Sequence, residues 1–197
     1  MPIRTLNRAA MFAFLAAAST GCGTAAPREL PLPDGPVALP GFTVSAPVGD
    51  GWRFVSKTAE SAVFERRLAD GTTLTALATL YPRRFGSLEE CRASLEREEY
   101  VTTPTLTDPH GDVTVIGDAE PPHVRVRFGA RSADRLGPSA AWSLVETEFR
   151  WFLRPGDGRA AMLGFSVRRP EGAPLPAYAG QAGLFFRSLR FETTTGG

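Results

Sequence analysis

The chain has few cysteines, no excess of charge of either sign and no hydrophobic run long enough to cross a membrane. Its 197 residues include 2 cysteines, and if Cys22 is acylated as argued below, Cys91 has no partner for an intrachain disulfide. With 22 basic and 21 acidic residues, the chain has no charge that would recruit nucleic acid. The apolar run Ala9–Ala18 is about half the 20 residues that a spanning helix needs. We therefore expect a domain stabilised by its own core.

Well-specified catalytic motifs are also absent. The sequence contains no Gly-x-Ser-x-Gly, no His-Glu-x-x-His, no phosphate-binding glycine loop and no Cys-x-x-Cys, which removes the corresponding hydrolase, metalloprotease, nucleotide and redox functions. Cys91 could be a nucleophile that uses a distant histidine. However, Leu88 and Leu95 place it on the apolar face of a predicted helix, where a thiol is inert. We predict no catalytic residue and no cofactor, and we expect a protein that is not an enzyme.

The N-terminus contains an export signal. Arg4 and Arg8 precede the apolar run, and the small residues of Ser19–Cys22 follow it. This order of basic, apolar and small residues is typical of a secretory signal. Its end resembles the lipobox of bacterial lipoproteins, although Ser19 stands where that family more often has leucine. The alternative is an ordinary signal peptide that ends at a cysteine by chance.

The lipobox resemblance implies a lipid anchor. Residues 1–21 would be removed as a signal peptide, and Cys22 would carry fatty acids such as palmitate. Two or three acyl chains hold a protein on a membrane permanently, here on the extracytoplasmic side of the cell envelope. Gly23 is not the aspartate that retains well-studied lipoproteins at the inner membrane, so the outer membrane is favoured. The membrane would therefore be a partner through the anchor.

The mature chain divides into a linker, one domain and a short tail. Residues 22–40 hold five prolines and little apolar periodicity, which is typical of a semi-rigid linker. Residues 41–192 are predicted to form a single α+β domain, and residues 193–197 a flexible tail. A domain of this size can bury enough surface to fold without disulfides.

Within the domain, the patterns predict strands and two helices. Ser87 stands three residues before Glu90, the capping-box spacing that begins a helix, and a second helix is predicted over Leu175–Arg187. Asp70-Gly71 indicates a hairpin. Alternating or continuous apolar residues predict the strands: Phe42–Ala46, Ala62–Leu68, Thr72–Tyr81 with one polar face, Val113–Ile116, His123–Phe128, Trp142–Leu153, Ala160–Val167 and a last strand with Leu189 and Phe191.

The two ends of this domain resemble the PsbP-like superfamily. The resemblance is carried by Phe42–Pro47 with the following Gly51-Trp52, and by Phe186–Phe191 after the last helix. It implies an antiparallel β-sheet flanked by two helices, an α/β/α sandwich. It also implies a protein that binds partners rather than one that catalyses. It assigns no site residues, because the superfamily shares no catalytic motif.

One cluster of potential metal ligands stands out. Asp108, His110 and Asp112 lie close together in sequence, and all three side chains can bind a divalent metal. With a metal there, the protein would be an envelope hydrolase or another metal-dependent enzyme. The alternative, which the sequence favours, is a solvated loop in which aspartate and glycine make turns.

Charged residues alternate along two predicted strands. Glu146, Glu148 and Arg150 share one face of their strand, and Arg125 and Arg127 share one face of theirs. Neighbouring strands could therefore pair opposite charges across the sheet. Such a ladder would line a polar binding groove, or it would be an exposed face whose pairs contribute at most about 1 kcal/mol each.

Apolar residues flank these charges on the same face. Trp142 and Leu144 precede the charged residues on this face of the strand and Phe152 follows them, which leaves a partner-binding surface open. His123 belongs to the polar face of the neighbouring strand and is expected at the surface. The function that these patterns favour is a non-enzymatic lipoprotein domain that binds an envelope protein or supports envelope assembly. A small-ligand carrier, which would need an apolar cavity, is a further alternative.

Overall fold

The computed structural model of the chain describes residues 30–97, 106–133 and 142–192. The predicted signal peptide, Cys22 and the tail of residues 193–197 lie outside these ranges. The two helices are α1 (Leu88–Arg97) and α2 (Ala179–Arg187). The strands are β1 (Val37–Leu39), β2 (Phe42–Val44), β3 (Trp52–Lys57), β4 (Ser61–Arg67), β5 (Thr73–Arg84), β6 (Leu106–Ile116), β7 (His123–Ala133), β8 (Trp142–Leu153), β9 (Arg159–Pro170) and β10 (Arg190–Phe191).

A seven-stranded antiparallel sheet dominates the fold. Its strand order is β3-β4-β5-β9-β8-β7-β6, and a second, three-stranded sheet has the order β1-β2-β10. At about 4.8 Å per strand the large sheet is about 29 Å wide, whereas α2 with 9 residues is only about 14 Å long. The predicted pair of flanking helices is therefore corrected to a mixed α+β fold in which the sheet dominates. No helix of the described ranges is long and apolar enough to span a membrane.

One face of the large sheet packs against α2 and the small sheet. Leu74 and Leu80 of β5 belong to this core, together with Phe42 of β2 and Phe185 of α2. Phe185 makes an edge-to-face contact with Phe64 of β4, with ring centroids 6.4 Å apart. The prediction that alternate apolar residues of β5 share one face is confirmed.

The opposite face is covered in part by α1. Cys91 is fully buried there, in a core that includes Tyr81 and Trp151. Core packing of Cys91 is thus confirmed. Thr75 and Thr79 of β5 are buried on this same face. The prediction of a half-buried strand is wrong, because β5 lies inside the sheet and both of its faces are covered.

The start of α1 follows the predicted capping pattern. The Ser87 hydroxyl oxygen accepts a hydrogen bond from the backbone N–H of Glu90 at 3.1 Å. The Glu90 carboxylate accepts one from the backbone N–H of Gly86 at 2.7 Å, one residue further back than the usual partner. The first bond satisfies a backbone donor that the first turn of a helix leaves free, and the second ties the residue before the cap to the helix.

The start of α2 differs from the sequence prediction. The helix begins at Ala179 rather than at Leu175. Leu175 precedes Pro176, and a residue before proline is disfavoured in helical conformation. The connection from β9 to α2 therefore starts with a turn, closed by a hydrogen bond from the Ala173 N–H to the Pro170 carbonyl at 3.0 Å, and adds no turn to the helix.

The folded domain begins inside the predicted linker. Val37–Leu39 form β1 and pair with β2. Further upstream, the backbone N–H of Leu30 donates a hydrogen bond to the carbonyl of Phe54 at 3.1 Å. Leu30 therefore lies beside β3, at one edge of the large sheet.

The opposite edge strand, β6, is longer than predicted. It runs over Leu106–Ile116 and contains Asp108–Asp112, which the sequence analysis favoured as a loop. Its pairing with β7 shifts register between Thr107 and His110, and Asp108 has a positive φ of 51°. These are the marks of a β-bulge. The bulge accommodates turn-forming residues within a strand, so the loop interpretation is wrong.

Candidate functional site

A groove lies between α2 and the outer part of the large sheet. Its floor is built by β6, β7 and β8, and its wall by the residues from Tyr178 to Phe186. The volume is about 820 Å³, within the range of about 300–1,000 Å³ that holds small molecules in proteins. The charged residues predicted to share one face of β8 line its floor.

The centre of the floor is an ion-pair network around Glu148. The register places Arg127 of β7 directly opposite Glu148 of β8, and the Arg127 Nε lies 3.3 Å from one Glu148 carboxylate oxygen. The other oxygen lies 2.7 Å from a terminal nitrogen of Arg150. The predicted pairing of opposite charges between neighbouring strands is confirmed here, and it lines a groove.

Arg150 connects this network to the helix. Its guanidinium carbon lies 4.2 Å from the centroid of the Phe186 ring in α2. Phe186 is only 2% exposed, so the cation–π contact lies at the base of the groove rather than at its surface. Because the Arg150 side chain is 25% exposed, a contact of this kind contributes about 1 kcal/mol. The contact therefore holds α2 against the charged rows.

A second group of contacts fixes the connection that leads from β9 to α2. Arg131 pairs with Glu171 at 2.6 Å, and its guanidinium carbon lies 5.1 Å from the ring centroid of Trp142. Arg169 donates a hydrogen bond to the carbonyl of Ala173 at 2.5 Å. The connection from β9 is thus held to the sheet at both residues 171 and 173.

Tyr178 stands where this connection enters the helix. Its ring stacks on Phe165 with centroids 5.8 Å apart. Burial raises the pKa of Tyr178 above its ordinary value, and the negative charges of Glu146 and Glu148 raise it further. The hydroxyl therefore stays protonated as a neutral hydrogen-bonding group in the groove wall.

The apolar residues predicted beside the charges take different positions. Leu144 lines the groove, and Trp142 packs against Arg131 near its end. Phe152 is only 2% exposed and belongs to the core. It is not part of an open partner surface, since the far end of β8 runs beneath the covered half of the sheet.

Asp108, His110 and Asp112 all line the groove from β6. His110 packs over Gly129, where a Cβ would stand within 2.6 Å of its ring atoms. Asp112 accepts a hydrogen bond from the Thr114 hydroxyl at 3.0 Å. In the described part of the chain, no group of three or more His, Cys, Asp or Glu side chains could hold a metal ion.

His123 is buried, which corrects its predicted surface position. It is 4% exposed, and its ring centroid lies 4.9 Å from that of Phe152. Its Nδ1 is 3.1 Å from the carbonyl oxygen of Pro121. Burial lowers the pKa of His123 from 6.5, while the hydrogen bond to Pro121 opposes that shift. The alternating pattern assigned the residue to the correct face of β7 but could not indicate that this end of the face is covered.

The buried histidine predicts a pH dependence of stability. Because the folded-state pKa is lowered, the unfolded chain binds a proton between the two pKa values and the folded chain does not. Stability is therefore lost as the pH falls through 6.5 toward the folded-state pKa. We expect the Tm to drop from about pH 8 to about pH 5, and to drop less in His123→Gln. An equal drop in both proteins would contradict this assignment.

These features define a sheet-dominated α+β protein with a charge-lined groove beneath a short helix. No model of a known protein family matches the chain, and no curated protein matches it. Among solved structures, it is similar to LpqN, described as involved in cell envelope biogenesis of Mycobacterium tuberculosis, with 14% identity and a TM-score of 0.43. The likeness covers 79% of this chain and 88% of that chain.

Proposed function

We propose that this protein is a lipid-anchored lipoprotein of the bacterial cell envelope whose domain binds an envelope protein or supports envelope assembly, without catalysis. The observation that carries the binding role is the groove beneath α2. Its charges form internal pairs around Glu148, so they are held in fixed positions. A rigid pattern of donors and acceptors beside apolar residues is what specific binding sites use.

The position of the tether supports a binding role for the groove. Leu30, the first described residue after the predicted anchor, lies beside β3. The groove lies over β6, β7 and β8, at the other side of the sheet. These strands are about 19–29 Å from β3 at about 4.8 Å per strand. A chain anchored at Cys22 would thus present the groove on the side away from the point where the chain enters the domain.

The anchor itself has a direct test. Replacing Cys22 by alanine is expected to abolish incorporation of labelled fatty acid and to leave the precursor uncleaved, because the modified thiol is gone. Cys91→Ala is the matched control, since Cys91 is buried, and its labelling and processing should be unchanged. Processing is measured by gel mobility and by labelling in intact cells. If the Cys22 variant is processed like the original protein, the protein is an ordinary secreted one without a lipid anchor.

The binding function is tested by chemical crosslinking in intact cells, followed by purification of the full-length protein. We expect a defined envelope protein to co-purify. Recovery of this chain always alone would contradict the proposal.

Outer-membrane placement, which we also propose, would be checked by density fractionation of the membranes. A PsbP-like arrangement is proposed as the finer description of the fold, on the terminal motifs alone, and an experimental structure would test it.

A small-ligand carrier is the second candidate, and the groove volume favours it. A cavity of about 820 Å³ is large enough for a compact organic molecule. Ala179→Trp would fill the groove mouth from the first residue of α2. Native mass spectrometry of the full-length protein from its own cells should then show a bound molecule in the original protein and none in the variant, whereas an empty original protein would contradict this candidate.

A further inference from the structure

The outer edge of β6 has no partner strand among the residues that the structure describes. β6 is the last strand in the sheet order, and its only described backbone partner is β7. An edge strand presents a row of free N–H and C=O groups, which another extended segment can use. Proteins usually protect such edges with bulges, prolines or inward-pointing charges.

Only one half of this edge is protected. The register shift between Thr107 and His110, together with the positive φ of Asp108, distorts the first half of β6. From Gly111 to Ile116 the pairing with β7 is regular, residue by residue. This second half therefore has the regular backbone geometry on which a further strand can pair.

The charges on the groove side of the sheet specify what a further strand would carry. One cross-strand row reads Asp112 in β6, Arg127 in β7 and Glu148 in β8, so the signs alternate. Asp112 ends the row, with its side chain 53% exposed and its nearest basic group, on Arg125, at 4.0 Å. An additional strand would place a residue directly beside Asp112, where a basic side chain is favoured.

The opposite side of the same edge is apolar. Val113 and Val115 pair with Val126 and Val124 of β7 and are only partly buried against the core beneath α1. A further strand would cover them if its residues on that side were apolar, at about 25 cal/mol for each Å² removed from water. The two sides together favour a further strand in which basic and apolar residues alternate.

We propose that the edge of β6 from Gly111 to Ile116 binds an extended segment of a partner protein that alternates basic and apolar residues, and that this segment adds an eighth strand. The inference deepens the proposed binding function and rests on it. Main-chain hydrogen bonds would supply affinity, and the side chains on alternate faces would supply specificity. The basic side chains would enter the mouth of the groove beside Asp112.

The test uses a fluorescent acetylated peptide, Thr-Val-Arg-Val-Arg-Val-Thr, titrated into the full-length protein in detergent with anisotropy as the readout. We expect saturable binding, and binding about tenfold weaker for a peptide with glutamate in place of both arginines. Asp112→Lys should weaken the basic peptide by about tenfold and strengthen the acidic one. Asp34→Lys, the same charge change at an exposed site near β1, should alter neither.

Methylated peptides separate strand addition from simple charge attraction. N-methylation of alternate residues removes donors on only one edge of the peptide, so one of two complementary methylated peptides should lose binding and the other keep it. Equal binding of both, or no binding of any peptide, overturns the proposal. A dimer of the full-length chain in sedimentation that Asp112→Lys dissociates would also overturn it, because the occupant would then be a second copy. A co-purified envelope protein would in those cases still support the binding function.

Discussion

Replacing Gly41 by valine is expected to destabilise the domain by about 3 kcal/mol or more. Gly41 lies between β1 and β2 with a φ of +80°, where a residue with a Cβ costs about 1–2 kcal/mol and a β-branched one is a genuine outlier. A Cβ would also stand 2.2 Å from the guanidinium carbon of Arg154. The side chain of Arg154 would have to move to relieve this contact.

Moving Arg154 would break one side-chain link between the end of β8 and the turn between β1 and β2. Its guanidinium donates a hydrogen bond to the carbonyl of Pro40 at 3.0 Å and lies 3.5 Å from the carboxylate of Asp157. Hydrogen bonds of charged groups contribute about 1.5–3 kcal/mol. Urea unfolding would measure the loss against Gly35→Val, where nothing lies within 4 Å of an added Cβ. Equal stability of the two variants would show that neither the backbone strain at Gly41 nor the Arg154–Pro40 hydrogen bond contributes to the free energy of unfolding.

Replacing Phe186 by alanine is expected to cost about 3–5 kcal/mol, the usual effect of truncating a buried phenylalanine. The ring is buried in the core that joins α2 to the large sheet, and it also supports Arg150 at the base of the groove. The truncation would therefore both open a cavity and release the ion-pair network. Any measured partner or ligand affinity should fall with it, beyond what the loss of folded protein explains.

Two further substitutions separate these effects. Leu184→Ala changes the same helix at a residue that is 45% exposed, and it should alter stability by no more than about 0.5 kcal/mol. Phe186→Leu keeps an apolar side chain and should cost less than the alanine variant, while losing the cation–π contact with Arg150. A loss of stability in Leu184→Ala as large as that in Phe186→Ala would contradict the account of how α2 is held.

Structural elements that are determined by residues close to them in sequence could be predicted. The bounds of β8 agree with the prediction from alternation alone, and the turn at Asp70 forms with its carboxylate accepting the backbone N–H of Thr72 at 2.9 Å. The capping of α1 by Ser87 is equally local. In each case the signal and the structure lie within a few residues of each other.

Coverage of a face could not be predicted, because it depends on residues distant in sequence. Thr75 is buried because the face of β5 that carries the threonines is covered, and His123 is buried against Phe152, which is 29 residues away in the numbering. Polar side chains at these positions indicate the solvent side of a strand only when nothing else packs over it.

The candidate site could be predicted only in part, because only some of its features depend on residues close in sequence. The charged rows of β7 and β8 follow from alternation and strand pairing, and Arg127 and Glu148 meet as expected. The wall of the groove did not follow, because no local pattern shows on which face α2 will pack. The path of β6 was also missed: its turn-forming residues are absorbed by a bulge at Asp108 rather than by a loop.

The most direct test of the central claim is site-specific photocrosslinking from the groove in intact cells. A photoreactive residue at Ala179, which lines the groove, is predicted to give one defined adduct with another envelope protein. The adduct should disappear with Glu148→Lys, which breaks the network of the floor, and persist with Asp34→Lys. The same residue at position 34 should give no such adduct. If Ala179 gives no adduct, or if Glu148→Lys leaves it unchanged, the groove is not where this protein binds a partner.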